Sequence, residues 1–160
     1  MDAIFESSHI SFVQVSEDLV PYYLAMVNDI ENVARFIGSR REPFSMEEEI
    51  QWVRKTLAAK EIVCSMLEKE RGEYIGNTGL MDMADGAGEL GIVITANMQG
   101  KGYGTEAVRA MVRYGMDQLG LSRLFLKVYP DNVRAIHVYE KCGFREYDRT
   151  AEDVFMEIIR

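Results

Sequence analysis

The chain has 160 residues, of which 48% are hydrophobic and 28% charged; this length and apolar content fit one folded domain, residues 1–160. Its 18 Lys and Arg residues against 26 Asp and Glu residues leave a net charge of −8. Because an acidic surface repels phosphate backbones, the composition argues against a protein that binds nucleic acid or anionic membranes, and it is compatible with a cationic substrate.

The sequence also bears on compartment and metal content. Its apolar runs are far shorter than the roughly 20 residues that span a bilayer, and no basic, then apolar, leader begins it, so neither a membrane anchor nor secretion is expected. Cys64 and Cys142 lie far apart and suggest no disulfide framework, which favours a reduced, cytoplasmic protein. With His9 and His137 as its histidines and no C-x-x-C pair, we expect no metal site.

The first part of the chain predicts a strand followed by helices. Residues 10–15 are rich in β-forming side chains, and Ser16 is a suitable N-cap for the helix that follows. A second helical piece covers residues 30–37. Ser45 and Glu48 then form a capping box, which predicts the start of a third helix with apolar residues at helical spacing.

Three strands joined by turns are predicted next. Residues 61–67 and 73–83 are strand-forming and are joined by a turn at residues 69–72. The Asp-Gly-Ala-Gly turn at residues 85–88 leads into a third strand at residues 89–94. Because short turns join these strands, they should run antiparallel.

The pattern changes after the third of these strands. A loop is predicted at residues 95–102, helices at 103–119 and 133–142, a strand at 123–128, and a closing hairpin at 144–150 and 154–159. A strand–loop–helix–strand unit implies a right-handed crossover and a parallel pair. The expected fold class is therefore α/β, with a mixed sheet that starts antiparallel, has a parallel central pair and is flanked by about four helices.

The most informative segment is the Gln-Gly-Lys-Gly-Tyr-Gly-Thr run at residues 99–105. Its glycines fall where a predicted strand ends and a long helix begins, so that backbone N–H groups and the helix dipole can together hold an anion. Glycine is needed where a Cβ would block close backbone approach or a required dihedral angle. A ligand with phosphate groups is therefore expected here; the alternative is a glycine-rich turn that only starts a helix.

Two common phosphate-binding patterns fit this segment poorly. A Walker loop needs Ser or Thr after its lysine, whereas Lys101 is followed by Gly102. A dinucleotide fingerprint can be drawn through Gly102, Gly104 and Ala107, with Asp131 as the ribose-binding acid. That pattern begins about two-thirds of the way along the chain and follows antiparallel strands, so too little chain remains for the usual parallel sheet.

The glycine-rich run resembles the Q/R-x-x-G-x-G/A signature of the GNAT superfamily, whose members transfer acetyl groups from acetyl-CoA to amines. Residues 132–144 (N-x-x-A-x-x-x-Y-x-x-x-G-F) are similar to the second GNAT signature. Glu-Leu-Gly-Ile-Val-Ile at residues 89–94 is similar to a strand of the branch that holds ribosomal-protein N-terminal and spermidine N-acetyltransferases. The resemblance covers most of the chain and implies a GNAT-like sheet whose central parallel pair splays apart.

The resemblance implies acetyl-CoA as the co-substrate and a set of residues that bind it. The backbone of Ile92, Val93 and Ile94 would pair with the pantetheine arm. Asn132 matches a position that contacts the cofactor, and it is also a suitable N-cap. The residues expected to hold the pyrophosphate are Gln99, Gly100, Lys101, Gly102, Tyr103, Gly104 and Thr105.

The resemblance also implies two catalytic residues. Tyr139 matches the family's frequent general acid, since a phenol with a pKa of about 10 can protonate the leaving thiolate; the alternative is a core tyrosine. Glu89 matches the branch's glutamate, which would take the proton of the amine through water; the alternative is a strand-edge carboxylate in an ion pair. Cys142 is expected to be a small buried hydrophobe rather than an acyl-carrying nucleophile.

The expected function is direct acetyl transfer to a primary amine in a ternary complex, and a homodimer is considered. A CoA-binding sensor without turnover and a nucleotide-binding oxidoreductase stay open as alternatives. The acceptor is expected to be cationic (a polyamine, an amino-sugar or a protein N-terminus). In this family the first helices border the acceptor cleft, and in this chain that segment carries several carboxylates, which would attract a cation. The acidic residues of that segment are Asp29, Glu31, Glu47, Glu48 and Glu49. The arginines that oppose this argument are Arg35, Arg40 and Arg41.

Overall fold

A computed structural model describes residues 1–38, 40, 42–59 and 61–160. Its strands are β1 (Ala3–Glu6), β2 (Ile10–Gln14), β3 (Ile62–Glu68), β4 (Tyr74–Ala84), β5 (Ala87–Ile94), β6 (Arg123–Val128), β7 (Arg145–Arg149) and β8 (Val154–Ile159). They form an eight-stranded sheet in the order β1-β2-β3-β4-β5-β6-β8-β7.

Five α-helices flank the sheet: α1 (Val20–Val27), α2 (Arg35–Ile37), α3 (Met46–Ala58), α4 (Tyr103–Arg113) and α5 (Val133–Lys141). Short 3-10 turns occur at Glu17–Leu19 and Ala96–Met98, and π-helical turns at Ile30–Ala34 and Tyr114–Gln118. No helix among these described residues is both long and apolar enough to cross a bilayer.

The start of α3 follows from its predicted capping box. The Ser45 hydroxyl accepts a hydrogen bond from the Glu48 N–H at 3.2 Å, and the Glu48 carboxylate accepts one from the Ser45 N–H at 3.1 Å. Two N–H groups that the helix itself cannot satisfy are thereby paired, which fixes where the helix begins.

The parallel pair at the centre of the sheet is short. β5 and β6 pair at three rungs, Ala87 with Arg123, Gly88 with Leu124 and Glu89 with Phe125. Beyond Glu89, β5 continues to Ile94, paired with β4 alone. The two strands therefore diverge after this point, which confirms the expected mixed sheet with a splayed central pair.

The two faces of the sheet are covered by different helices. One buried cluster packs α4 and α5 against the sheet, and Ile92 and Ile94 of β5 contact it. A second, smaller cluster joins α1 and α3 to the other face, and Val93 of β5 contacts that one. This alternation along β5 is the period of two that a strand requires, and it places Glu89 on the face of Val93.

The fold differs from the sequence predictions at three places. The strand β1 was not expected, because it is largely exposed and lacks an alternating pattern. It is held by its pairing with β2 and by the ring of Phe5, which stacks on the rings of Phe12 and Tyr114 with centroid distances of 4.2 Å in both cases. The turn before β5 contains only Asp85 and Gly86, both with positive φ (54° and 78°), so β5 begins two residues earlier than predicted.

The third difference concerns the long helix predicted at residues 103–119. The α-helical part ends at Arg113, and the chain continues as the π-helical turn Tyr114–Gln118. Apolar periodicity persists through both parts, since Met111 and Met116 are buried, so the pattern alone does not distinguish the two helical geometries.

Candidate active site

A cavity of about 910 Å³ opens where β5 and β6 diverge. Its walls come from β5, the loop before α4, α5, the end of β6 and the π-helical turn that leads into α2. The predicted site residues that line it are Glu89, Ile92, Val93, Ile94, Gln99, Gly100, Gly102, Gly104, Thr105, Asn132 and Tyr139. The structure thus brings together both predicted catalytic residues and most of the predicted cofactor-binding residues.

The glycine-rich loop has the backbone of an anion cradle. Gly100 and Gly102 adopt φ of 73° and 90°, a region that side chains disfavour, and Gly102 caps α4 without any side chain. The first hydrogen bond of the helix runs from the Glu106 N–H to the Gly102 carbonyl at 3.1 Å, so the N–H groups of residues 103–105 have no partner within the helix. These free donors fit the pyrophosphate of acetyl-CoA.

Gly104 indicates where such a ligand would lie. It belongs to the first turn of α4 and lines the cavity, and a Cβ built on it meets no protein atom within 4 Å. Nothing in the described protein therefore requires glycine at this position. Close approach of a ligand is a sufficient reason for it.

Lys101 and Tyr103 differ from the other loop residues. Neither is among the described residues that line the cavity: Lys101 is exposed, and Tyr103 packs against the larger buried cluster. The basic side chains that do line it beside α5 are Arg134 and Lys141, which the sequence analysis did not select. Their place on the helix of the second signature was the signal available for finding them.

The side chain of Gln99 is engaged with the protein itself. Its Nε2 donates to the Ile94 carbonyl at 2.9 Å and to the Asn32 carbonyl at 3.2 Å. Its Oε1 accepts a hydrogen bond from Arg134 at 2.8 Å. Both donors of the amide are therefore used before any ligand binds.

The last part of β5 presents an unpaired backbone edge to the cavity. Ile92, Val93 and Ile94 line it, and the described rungs of these residues all connect to β4. A free strand edge offers alternating N–H and C=O groups at the spacing of an added strand. This geometry suits the amide groups of a pantetheine arm.

Tyr139 is both a core residue and a residue that lines the cavity. It is 8% exposed and its ring lies 5.8 Å from that of Phe144, as expected of a core residue, yet it also lines the cavity. Burial raises the pKa of its phenol to about 12, with a smaller contribution from Cys142. The phenol therefore keeps its proton at neutral pH, and its hydroxyl has no hydrogen-bond partner within the described part of the chain.

Glu89 lies at the point where the strands separate. It is half-buried, pairs with Phe125 in the last parallel rung and lines the cavity. Among the described residues, no cation lies within ion-pair distance of its carboxylate, and no donor hydrogen-bonds to it. The geometry therefore does not support the alternative of a strand-edge carboxylate in an ion pair.

Asn132 and Cys142 occupy the two ends of α5. The Asn132 side chain accepts a hydrogen bond from the Ala135 N–H at 3.4 Å and also lines the cavity, so capping and cofactor contact are compatible. Cys142 is half-buried, its thiol donates to the Thr105 carbonyl at 3.6 Å, and burial raises its pKa. A thiol held in its neutral form is a poor nucleophile.

Most of the acidic residues expected at the acceptor cleft are engaged elsewhere. Glu48 accepts a hydrogen bond from Arg40 at 2.7 Å, which lowers the pKa of its carboxyl to about 2. Glu49 is only 6% exposed, and this burial raises its pKa. Glu47 accepts a hydrogen bond from Gln51 at 2.9 Å. The segment's carboxylates therefore do not act together as an acidic mouth.

Asp29 is also removed from that set, since its carboxylate accepts the N–H of Asn32 at the start of the π-helical turn. Glu31 is the one residue of the five that is found among the described lining residues, and Arg35 lines the same wall. Arg41 lies outside the described residues. Further along the cavity, Lys127, Asp131 and Asp153 line it near the end of β6 and the start of β8.

No group of three or more His, Cys, Asp or Glu side chains suited to a metal ion occurs among residues 1–38, 40, 42–59 and 61–160. Besides its backbone donors, the described lining includes the phenols of Tyr129 and Tyr139 and four carboxylates, those of Glu31, Glu89, Asp131 and Asp153. Its geometry can hold a phosphate-bearing ligand along the loop and β5, with Tyr139 and Glu89 on the walls of the same cavity.

The comparisons with known proteins identify the family and the fold. A family model for the acetyltransferase (GNAT) domain matches residues 10–145. The chain is 34% identical over 84 residues to the uncharacterized N-acetyltransferase p20 of Bacillus licheniformis, covering 51% of this chain and 47% of that protein. It is 34% identical over 68 residues to the spermidine N(1)-acetyltransferase of Vibrio cholerae, covering 42% and 39%. In these matches the chain spans less than half the length of either curated relative.

Solved structures share the fold. An acetyltransferase of the GNAT family from Bacillus anthracis superposes with a TM-score of 0.83 at 20% identity, covering 96% of both chains. The spermidine N-acetyltransferase of Vibrio cholerae in complex with CoA and spermine gives a TM-score of 0.78 at 21% identity, again over 96% of both chains. Since the family model spans the glycine-rich loop, Glu89 and Tyr139, the chain belongs to the GNAT acetyltransferase family.

Proposed function

We propose that this protein transfers the acetyl group of acetyl-CoA to a primary amine by direct attack in a ternary complex. The observation that carries the proposal is the cavity at the divergence of β5 and β6, which joins the anion cradle, the free edge of β5, Tyr139 and Glu89. Membership of the GNAT family supports the same chemistry.

The binding roles follow from the backbone. The N–H groups at the start of α4 hold the pyrophosphate, and Ile92, Val93 and Ile94 offer their free edge to the pantetheine arm. Asn132 and Arg134, at the start of α5, face the same cavity. When bound, acetyl-CoA supplies an activated acetyl thioester.

The catalytic roles fall to two side chains. Tyr139 donates its proton to the leaving thiolate, and its raised pKa of about 12 keeps that proton available across the neutral range. Glu89 accepts the proton of the attacking amine, directly or through one water molecule. Each such proton transfer is worth about 10²- to 10⁴-fold in rate.

The need for a base depends on the acceptor. An alkylamine with a pKa of about 10.4 is almost wholly protonated at neutral pH, and its deprotonation costs roughly 4 kcal/mol. An α-amine with a pKa of about 8 costs under about 1 kcal/mol by the same arithmetic. Protein N-termini are therefore the chemically easier acceptors, whereas polyamines depend more strongly on Glu89.

We keep a cationic acceptor as the proposed class: a polyamine, an amino-sugar or a basic protein N-terminus. Four carboxylates of the described residues line the cavity (Glu31, Glu89, Asp131 and Asp153), and the spermidine N-acetyltransferase of Vibrio cholerae is among the curated and solved relatives. Four basic residues in the described part of the chain line it as well (Arg35, Lys127, Arg134 and Lys141), so the charge of the cavity is mixed and selects less strongly than an all-acidic one. The cytoplasm, where the free thiols Cys64 and Cys142 stay reduced, is the proposed location.

The test is an assay of free thiol released from acetyl-CoA in the presence of spermidine, an aminoglycoside, a basic N-terminal peptide and a neutral amino acid. Mass spectrometry of the products identifies the acetylated amine. We expect amine-dependent thiol release that increases with pH and, for the cationic acceptors, weakens with salt. Tight CoA binding without turnover of any amine would favour the sensor alternative, and a thermal shift with NAD(P)H alone would favour the oxidoreductase.

A further inference from the structure

The side chain of Gln99 connects three walls of the cavity. Asn32 lies in the π-helical turn on the acceptor side, Ile94 is the last residue of β5, and Arg134 lies in α5, the helix that carries Tyr139. The amide of Gln99 bonds to all three, at 3.2, 2.9 and 2.8 Å. Both of its N–H groups are used on carbonyls, so the side chain has no donor left for a phosphate.

The hydrogen bond from Gln99 to the Asn32 carbonyl connects the glycine-rich loop to residues 30–37, which we call the acceptor-side wall. Within the described chain, the other hydrogen bonds between this wall and the rest of the protein go to the adjacent residue Asp29, which accepts from Asn32, Val33 and Ala34. The wall is otherwise anchored by Val33, which is buried in the smaller cluster. Its remaining side chains are exposed or half-buried, so it is weakly held apart from this contact.

The same wall presents groups to the cavity. Glu31, Arg35 and Phe36 line it, opposite the strands that carry Glu89 and Lys127. π-helical turns are uncommon and occur frequently at functional sites, and here the turn exposes the Asn32 carbonyl to Gln99. A displacement of this wall would move the charged side chains that meet the acceptor without altering the anion cradle.

We propose that Gln99 is a positioning residue that holds the acceptor-side wall, so that filling the neighbouring anion cradle with CoA orders residues 30–37. This inference rests on the proposed function. The physical reason is that Gln99 directly precedes the glycine-rich loop: phosphate bound at residues 100–105 fixes the backbone of Gln99 and, through its amide, the carbonyl of Asn32. Binding of the co-substrate thereby lowers the entropic cost of ordering the wall for the amine.

The test is hydrogen–deuterium exchange of the full chain with and without CoA. In the wild type, CoA should slow exchange both in residues 99–106 and in residues 30–37. In Gln99→Ala, protection of residues 99–106 should persist while that of residues 30–37 is lost. Affinity for CoA should change less than about threefold, whereas KM for spermidine should rise about tenfold, the effect of losing, among the three hydrogen bonds of Gln99, the one that holds the wall.

Two further variants separate positioning from general support of the fold. Gln99→Glu keeps an acceptor for Arg134 but lacks donors for the two carbonyls, so it should lose protection of residues 30–37 as Gln99→Ala does. Gln51→Ala removes an exposed glutamine of α3 that bonds to Glu47 at 2.9 Å and is not a described lining residue. It should leave exchange and KM unchanged.

The outcomes distinguish this inference from the proposed function. If CoA protects residues 99–106 but not residues 30–37 of the wild type, the inference is wrong and the cofactor site stands. If Gln99→Ala weakens CoA binding tenfold while exchange in residues 30–37 is unchanged, Gln99 is a phosphate ligand and the inference is again wrong. If CoA protects neither segment, the proposed cofactor site is itself contradicted, and the inference with it.

Discussion

Glu89 and Phe125 form the last rung of the parallel ladder between β5 and β6, and the cavity begins directly beyond them. The position of the candidate base is therefore set by strand register rather than by a flexible loop. A shift of one residue in that register would turn Glu89 to the opposite face of the sheet. The same rung also fixes how much of β5 is left unpaired for a ligand.

The first prediction concerns Glu89. Glu89→Gln keeps the shape of the side chain and removes the base, so kcat at neutral pH should fall about 10²- to 10⁴-fold. Raising the pH supplies more neutral amine, so the variant should recover rate with pH more steeply than the wild type. A pH–rate profile for spermidine measures this, with Glu47→Gln as a control at an exposed carboxylate that is not a described lining residue. If the pH–rate profiles of Glu89→Gln and the wild type coincide, Glu89 is not the base.

The second prediction concerns Tyr139. Tyr139→Phe preserves the packing of the ring beside Phe144 and removes only the phenol proton. Turnover should decrease about 10²- to 10⁴-fold under conditions in which chemistry limits the rate. Affinity for acetyl-CoA, measured by calorimetry, should change little. Because the pKa of the phenol is raised to about 12, the wild type should show no loss of the acid between pH 7 and about 10. Full turnover by the variant would contradict this role.

The third prediction concerns the anion cradle. In Gly104→Val the new Cβ has no protein atom within 4 Å in the described structure, so the fold should persist while CoA binding is lost. Gly102→Val should also abolish CoA binding, and it additionally strains the backbone because φ is 90° at this position. Calorimetry with CoA gives the affinity, and circular dichroism verifies folding. Unchanged affinity in a well-folded Gly104→Val protein would show that the phosphates lie elsewhere.

The fourth prediction concerns acid stability. The hydrogen bond from Arg40 lowers the pKa of Glu48 from 4.5 to about 2 in the folded state. A carboxyl group whose pKa is lowered on folding stabilises the fold at pH values above its pKa in the unfolded chain. That contribution is lost as the pH decreases towards its pKa in the folded protein, here between pH values of about 4.5 and about 2. Glu48→Gln should therefore show a smaller decrease of Tm over this range than the wild type. Glu47→Gln, one residue away, serves as the control; identical Tm profiles for Glu48→Gln and the wild type would contradict the prediction.

The sequence predicted the elements whose signals are local. The capping box of Ser45 and Glu48, the glycine-rich loop and the crossover that makes β5 and β6 parallel each depend on neighbouring residues or on short connections. These signals were sufficient for the fold and for the place of the cavity. They could not reveal β1, whose exposed residues lack an alternating pattern and which owes its place to pairing and aromatic stacking.

Contacts distant in sequence were the part that could not be predicted. The acidic residues near the start of α3 suggested a cationic mouth, but the pairing of Glu48 with Arg40 and the burial of Glu49 depend on how loops and helices pack. Likewise, the amide of Gln99 meets a carbonyl 67 residues earlier in the chain. Charge and composition give the residues available at a site, whereas their partners are decided by tertiary structure.

The alternation along β5 has one more consequence. Tyr139 belongs to the cluster on one face of the sheet, and Glu89 lies on the other, so the candidate acid and the candidate base line the gap between β5 and β6 from opposite faces of the sheet. The acetyl donor and the amine could therefore approach this gap from opposite faces of the sheet and meet between the two strands.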